Sequence, residues 1–131
     1  MVGLPASGKS TLAFLINEKL QMFNVNCHII ELDQLFKESD NNTLPIEGKW
    51  QMIRAQAYNK ALTFMKSSHS SFIIIDDTNE YRSMRKPYFR LAQEYAMKYI
   101  EVHISIGLKE SILRDSQREA EVGGDVIMNI A

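Results

Sequence analysis

Cysteine is almost missing from this chain: Cys27 is the single one among 131 residues. A lone thiol excludes an internal disulfide, and its place in an apolar run predicts a buried, inert group in a reducing compartment. Long hydrophobic runs are missing as well. The longest, Phe72-Ile73-Ile74-Ile75, falls far short of the roughly 20 residues that a membrane-spanning helix needs. Neither sign of charge is in excess, because 15 basic and 16 acidic side chains leave a formal net charge of -1. This excludes a globally basic nucleic-acid binder and leaves room for a local basic patch. His28, His69 and His103 lack metal-ligand spacing and read as structural or exposed. There is no G-x-G-x-x-G dinucleotide fingerprint, and Pro5 stands where a nucleophile elbow around Ser7 would need glycine. Repeats and low-complexity linkers are absent.

What is present is a single-domain composition, 45% hydrophobic and 24% charged, that predicts a soluble globular domain with one core. The residues that say most are Gly3-Leu4-Pro5-Ala6-Ser7-Gly8-Lys9-Ser10, followed by Thr11. They spell G-x-x-x-x-G-K-[ST], a phosphate-binding loop (P-loop). Its glycines let the backbone N–H groups turn inward as an anion nest, at the positive end of the helix that follows. Lys9 adds a point charge for the β- and γ-phosphates, and Ser10 offers a hydroxyl to Mg²⁺. The plain alternative is a glycine turn before a helix.

Periodicity predicts helices over Lys9–Phe23, Gly48–Lys66, Met84–Met97 and Leu108–Glu119, with a further one beginning at Asp125. The first carries an apolar stripe of Leu12, Leu15, Ile16, Leu20 and Phe23. The second carries Trp50, Ile53, Ala57, Ala61, Phe64 and Met65, and the third Met84, Tyr88, Leu91, Ala92 and Tyr95, with Pro87 in its first turn. Val25–Leu32, Phe72–Ile75 and Tyr99–Ile106 read as strands. The second, a run without alternation, reads as buried on both faces. Ser39–Glu47 is a polar loop. Strands alternating with helices predict an α/β fold, a P-loop-type parallel sheet flanked by helices. Ligands of such sheets lie beyond the carboxyl ends of the strands, where Asp33, Asp76, Asp77 and the glycine loop all fall. P-loop folds lead a buried strand into the loop, whereas here Met1 and Val2 alone precede Gly3. The expectation is therefore a chain truncated at its start, and at its end too. The early entry into the loop predicts no signal or transit peptide, so the cytoplasm is the expected compartment.

The chemistry-bearing residues follow from these positions. Asp76 and Asp77, directly after an apolar strand, are candidates for the Mg²⁺ carboxylate; which of them leads stays open, as does a strand-end turn. Asp33 is a candidate to orient or deprotonate an acceptor hydroxyl, the alternative being an Asx turn or cap. Arg114 and Arg118, four residues apart on one helix face, could neutralise the equatorial oxygens of a migrating phosphoryl group from a lid, or form a solvated face with Asp115 and Glu119. Arg82, Arg85, Lys86 and Arg90 with Tyr81 and Tyr88 could meet RNA or lie as a solvated face; Arg85, near the helix start, is a candidate to reach the acceptor.

Four stretches together carry a resemblance. Gly3 to Thr11, Trp50 with Arg54, Ile75-Asp76-Asp77-Thr78-Asn79-Glu80-Tyr81-Arg82-Ser83-Met84-Arg85, and Arg114 to Arg118 resemble L-seryl-tRNA(Sec) kinases. The D-D-x-x-x-Y-x-S-M-R stretch and Leu91-Ala92-Gln93-Glu94-Tyr95 are its specific part. The resemblance implies a P-loop kinase catalytic core over residues 1–131, with a lid near 110–125. It implies ATP and Mg²⁺ as cofactors and the serine hydroxyl of seryl-tRNA(Sec) as acceptor. It also implies Lys9 and Ser10 on nucleotide and metal, Asp33 as catalytic carboxylate, and Arg114 and Arg118 as lid pair. Two departures stand out. Some members carry an arginine one turn after the aspartate, where this chain has Phe36, and the family's C-terminal tRNA-binding domain is not found in these residues. The P-loop ATPases that assist the Elongator complex share the layout, as do small-molecule and nucleic-acid end kinases. A nucleotide-switched accessory ATPase is thus the alternative reading.

Overall fold

The computed structural model describes residues 1–39, 44–67, 71–117, 123 and 127–128. The elements in chain order are α1 (Lys9–Met22), β1 (Asn26–Glu31), α2 (Leu32–Glu38), α3 (Ile46–Ser67), β2 (Ser71–Asp76), α4 (Arg82–Glu94) and α5 (Leu108–Ser116). β1 and β2 run parallel in a register that sets Asn26 opposite Ser71 and Glu31 opposite Asp76. The sheet continues across the start of the chain. The Met1 amine donates to Ile75 O at 2.9 Å, and Gly3 N to Thr78 O at 3.1 Å. On the other side Val2 N donates to Val102 O and Ile104 N to Val2 O, both at 2.8 Å.

The core lies between the sheet and α3. Ile53, Ala57 and Ala61 recur at helical spacing on α3 and are fully buried, packed with Ile30, Leu32, Leu35 and Leu91. Small alanines at two of these turns let the helix approach the strands closely. Each such large apolar side chain contributes about 1.5–3 kcal/mol by leaving water. Phe36 of α2 stacks on Trp50 of α3 at 4.4 Å between ring centroids, and Lys49 Nζ lies over the Phe36 ring at 4.1 Å from its centroid. Position 36, where some kinases of the resembled family carry arginine, is here spent on packing α2 against α3.

Several expectations need correction. Tyr99–Ile106 forms no ladder; it makes a single parallel bridge, Val2 to His103. The β2 run is not buried on both faces, since Phe72 is 48% exposed and Ile73 to Ile75 are half-buried. On α1 the buried apolar residue is Ala13, while Leu15 and Phe23 of the expected stripe are exposed. The segment after β1, to which the sequence pattern assigns no element, is the short helix α2. α4 starts at Arg82 and ends at Glu94, so Pro87 sits in its second turn, not its first. The carbonyl this proline leaves unpaired belongs to exposed Ser83, where water can reach it. Asp125–Ala131 and part of the Ser39–Glu47 loop lie outside the described residues, apart from a helical pair at 127–128.

Candidate active site

The phosphate loop is shaped by backbone conformation. Ala6 and Gly8 adopt positive φ values of 57° and 96°, which swing successive N–H groups toward one side. Gly8 caps α1 without any side-chain hydrogen bond, so the first N–H groups of that helix are left for a ligand. Gly3 is required by space. A Cβ there would stand 2.6 Å from Ile104 O and 2.9 Å from Ser7 Oγ. The Ser7 hydroxyl is itself buried, without a hydrogen-bond partner among the described residues. Lys9 lies along the loop, its Nζ donating to Gly3 O at 3.0 Å and Leu4 O at 2.7 Å.

Beside the loop opens a cleft of about 580 Å³. Pro5 through Thr11 form one wall, and Asp33, Asp76, Asp77 and Arg114 stand around it. The expected residues are thereby brought together from the loop, α2, the end of β2 and α5. Gly3 and Leu4 lie behind the wall as acceptors for Lys9. Asp33 is not at the strand end; it occupies the first turn of α2, and Glu31 holds the carboxyl end of β1. Arg118 lies outside the described residues. Arg85 does not line the cleft. Its Nη1 donates to Asn79 O and Glu80 O, both at 2.8 Å, and its Nε pairs with Glu101 at 3.2 Å. The geometry makes Arg85 a brace for the turn after β2, because its Nη1 donates to two of that turn's carbonyls while its Nε is held by Glu101.

Three ionisable cleft residues were given no site role by the sequence reading. Glu31 was hidden by the strand boundary, Glu80 by its place in an irregular turn, and Arg54 by lying on a helix whose neighbours in space are unknown from sequence; the Trp50–Arg54 spacing was the one available signal. Together the carboxylates crowd one another. Burial pushes the Asp77 carboxyl up from its ordinary value, opposed by the Thr78 N–H it accepts at 2.7 Å and by Arg54. Burial raises Glu31, with Asp76 and Asp33 adding to it, and burial with Asp77 raises Glu80. Arg114 is tied to Glu110 one turn earlier. Its helix is fixed to the loop by Ser111 Oγ, fully buried, donating to Pro5 O at 2.7 Å.

Mg²⁺ suits this donor set. Asp76 is buried at 6% exposure, and Ser10 and Asp77 share its cleft. Among the described residues no three His, Cys, Asp or Glu groups converge to hold a metal unaided. His28 stacks flat on Phe64 at 3.8 Å and His103 pairs with Glu101, both away from the cleft; His69 lies outside the described residues. No helix among the described residues is long and apolar enough to cross a membrane.

A glycine loop opening a helix beside a parallel sheet, with carboxylates at the strand ends, defines the P-loop α/β class. Solved structures agree. The Mycobacterium tuberculosis APS kinase CysC in complex with AMPPNP and APS superposes with a TM-score of 0.70 at 17% identity, over 87% of this chain and 65% of that one. APE1195 does so with a TM-score of 0.71 at 20% identity, over 88% and 66%. Residues 1–130 match the family described as chromatin associated protein KTI12, and the chain belongs to that family. It is also 28% identical to an L-seryl-tRNA(Sec) kinase of Methanococcus maripaludis over 132 residues. That match takes in 99% of this chain and 49% of the kinase, so the chain spans about half the length of that relative.

Proposed function

We propose that this chain is the catalytic portion of an ATP-dependent phosphotransferase, acting on a hydroxyl, and that the hydroxyl is the serine of seryl-tRNA(Sec). The observation that carries the reading is the single cleft in which the phosphate loop, Asp33, the Asp76–Asp77 pair and Arg114 meet. The likeness to a seryl-tRNA(Sec) kinase over nearly the whole chain supports the acceptor.

The residues divide the work by charge. Loop N–H groups and Lys9 hold the β- and γ-phosphates, and Arg114, with Arg118 expected beside it, faces the equatorial oxygens. Asp33, exposed on the first turn of α2, orients the hydroxyl and takes its proton as the new P–O bond forms. Ser10, Asp76 and Asp77 would hold Mg²⁺, which when bound adds positive charge at the phosphate oxygens. Residues 110–125 act as lid in this reading.

Transfer of labelled γ-phosphate from Mg-ATP to seryl-tRNA(Sec), with uncharged tRNA and seryl-tRNA(Ser) in parallel, tests it. Label on the seryl group of the selenocysteine tRNA alone is the expected result. ATP hydrolysis without transfer to any acceptor would overturn it. That outcome favours the second reading, a nucleotide-switched binding module. The KTI12 family match supports that alternative, since its description names an association and not a reaction.

A further inference from the structure

The cleft has a neighbour. A second cavity, also about 580 Å³, opens behind a wall formed by Arg54, Asp77, Glu80 and Met84, which line both spaces. The phosphate loop takes no part in it. Its lining is largely apolar and includes Tyr58, Tyr81, Pro87 and Tyr88. The rings of Tyr58 and Tyr88 lie 6.1 Å apart, tilted by 48°. A space of this size and lining suits a planar group of nucleoside dimensions, since every base offers a face to stack.

The shared wall carries one unanswered group. Glu80 Oε2 is closed off from solvent and has no hydrogen-bond partner among the described residues. A buried carboxylate oxygen without a donor is costly, and a charged donor from a ligand relieves that cost. In a serine ester the ammonium and the hydroxyl sit on adjacent carbons. A carboxylate that holds the ammonium therefore fixes where the hydroxyl lies.

We propose that the second cavity is the acceptor pocket and that it takes an aminoacylated nucleoside end, with the base on the tyrosine wall and the α-ammonium on Glu80. The hydroxyl then passes through the shared wall into the cleft that holds Asp33. This rests on the kinase reading of that cleft and adds a chemical demand to it: the acceptor carries a free amine.

Binding measured by calorimetry tests the demand without relying on transfer. The probes are 3'-deoxy-3'-(L-serylamino)adenosine, its N-acetyl form and adenosine, each with Mg-AMPPNP present. The wild-type chain is expected to bind the free amine at least about tenfold tighter than the N-acetyl form, the scale of one charged hydrogen bond. Glu80→Gln should shrink that gap below about twofold while the melting transition stays cooperative, and Tyr88→Leu should weaken all three probes together. Equal binding of the two seryl probes, a gap that survives Glu80→Gln, or no binding of the free amine overturns the proposal. Transfer to seryl-tRNA with amine-blind binding removes the proposal and spares the kinase. Amine-selective binding without any transfer spares the pocket and removes the kinase.

Discussion

Lys9 shows how a single residue is held for its task. Its ammonium is drawn along the loop by the carbonyls of Gly3 and Leu4, so the charge is held against the loop and the stem is buried, as the proposed role on phosphates would need. Removing one such cationic contact costs about 3 kcal/mol in the barrier. Lys9→Ala should therefore lower kcat at least about 100-fold in a steady-state transfer assay. Gly3 has the opposite role, giving space instead of charge. Its missing Cβ leaves room for Ile104 O, a backbone atom that cannot step aside cheaply. Gly3→Ala should cost about 1–3 kcal/mol of stability by overpacking, read as a lowered Tm. Residues such as these were legible because the loop fixes them by local spacing. Glu31, Arg54 and Glu80 were not, because their place in the cleft depends on a strand boundary, a helix rotation and an irregular turn.

Helices with strong 3.6-residue periodicity declared themselves: α3 buries Ile53, Ala57 and Ala61 as its spacing requires. Strands were less legible. Alternation over Tyr99–Ile106 signals extended chain, but pairing depends on a partner that sequence pattern does not reveal. The coupling between elements was invisible altogether. α5 meets the phosphate loop through a buried hydroxyl, Ser111 to Pro5, and so Arg114 is placed by a contact one turn before it. Ser111→Ala leaves the loop's own N–H groups intact and releases the helix that carries Arg114. The expected outcome is a loss of about 1–2 kcal/mol in stability. With it goes a several-fold fall in kcat, while KM for ATP stays within about twofold. A KM change equal to the kcat change would show that the loop itself had moved.

At the scale of the molecule, the cleft sets stability against function. Asp77 is half-buried among other carboxylates, and its raised pKa means that the folded chain holds a proton more tightly than the unfolded chain does. Between the unfolded value of 3.8 and the folded value, the native state binds more protons, so stability falls as pH rises through that window. Above it the full penalty of a buried charge persists, and below 3.8 both states are protonated and the penalty vanishes. Asp77→Asn keeps an oxygen for the Thr78 N–H and removes the charge. The variant should melt above the wild type at pH 7, and the difference should close as the pH drops below about 4. Adding Mg-AMPPNP should reverse the order, because a ligand stabilises by its affinity for the native state and the wild-type carboxylate is what a cation favours. Scanning calorimetry at two pH values, with and without Mg-AMPPNP, gives all four comparisons. A variant that melts below the wild type at pH 7 without ligand would mean that Asp77 is a structural cap, and that the strain of the carboxylate cluster lies elsewhere in the cleft.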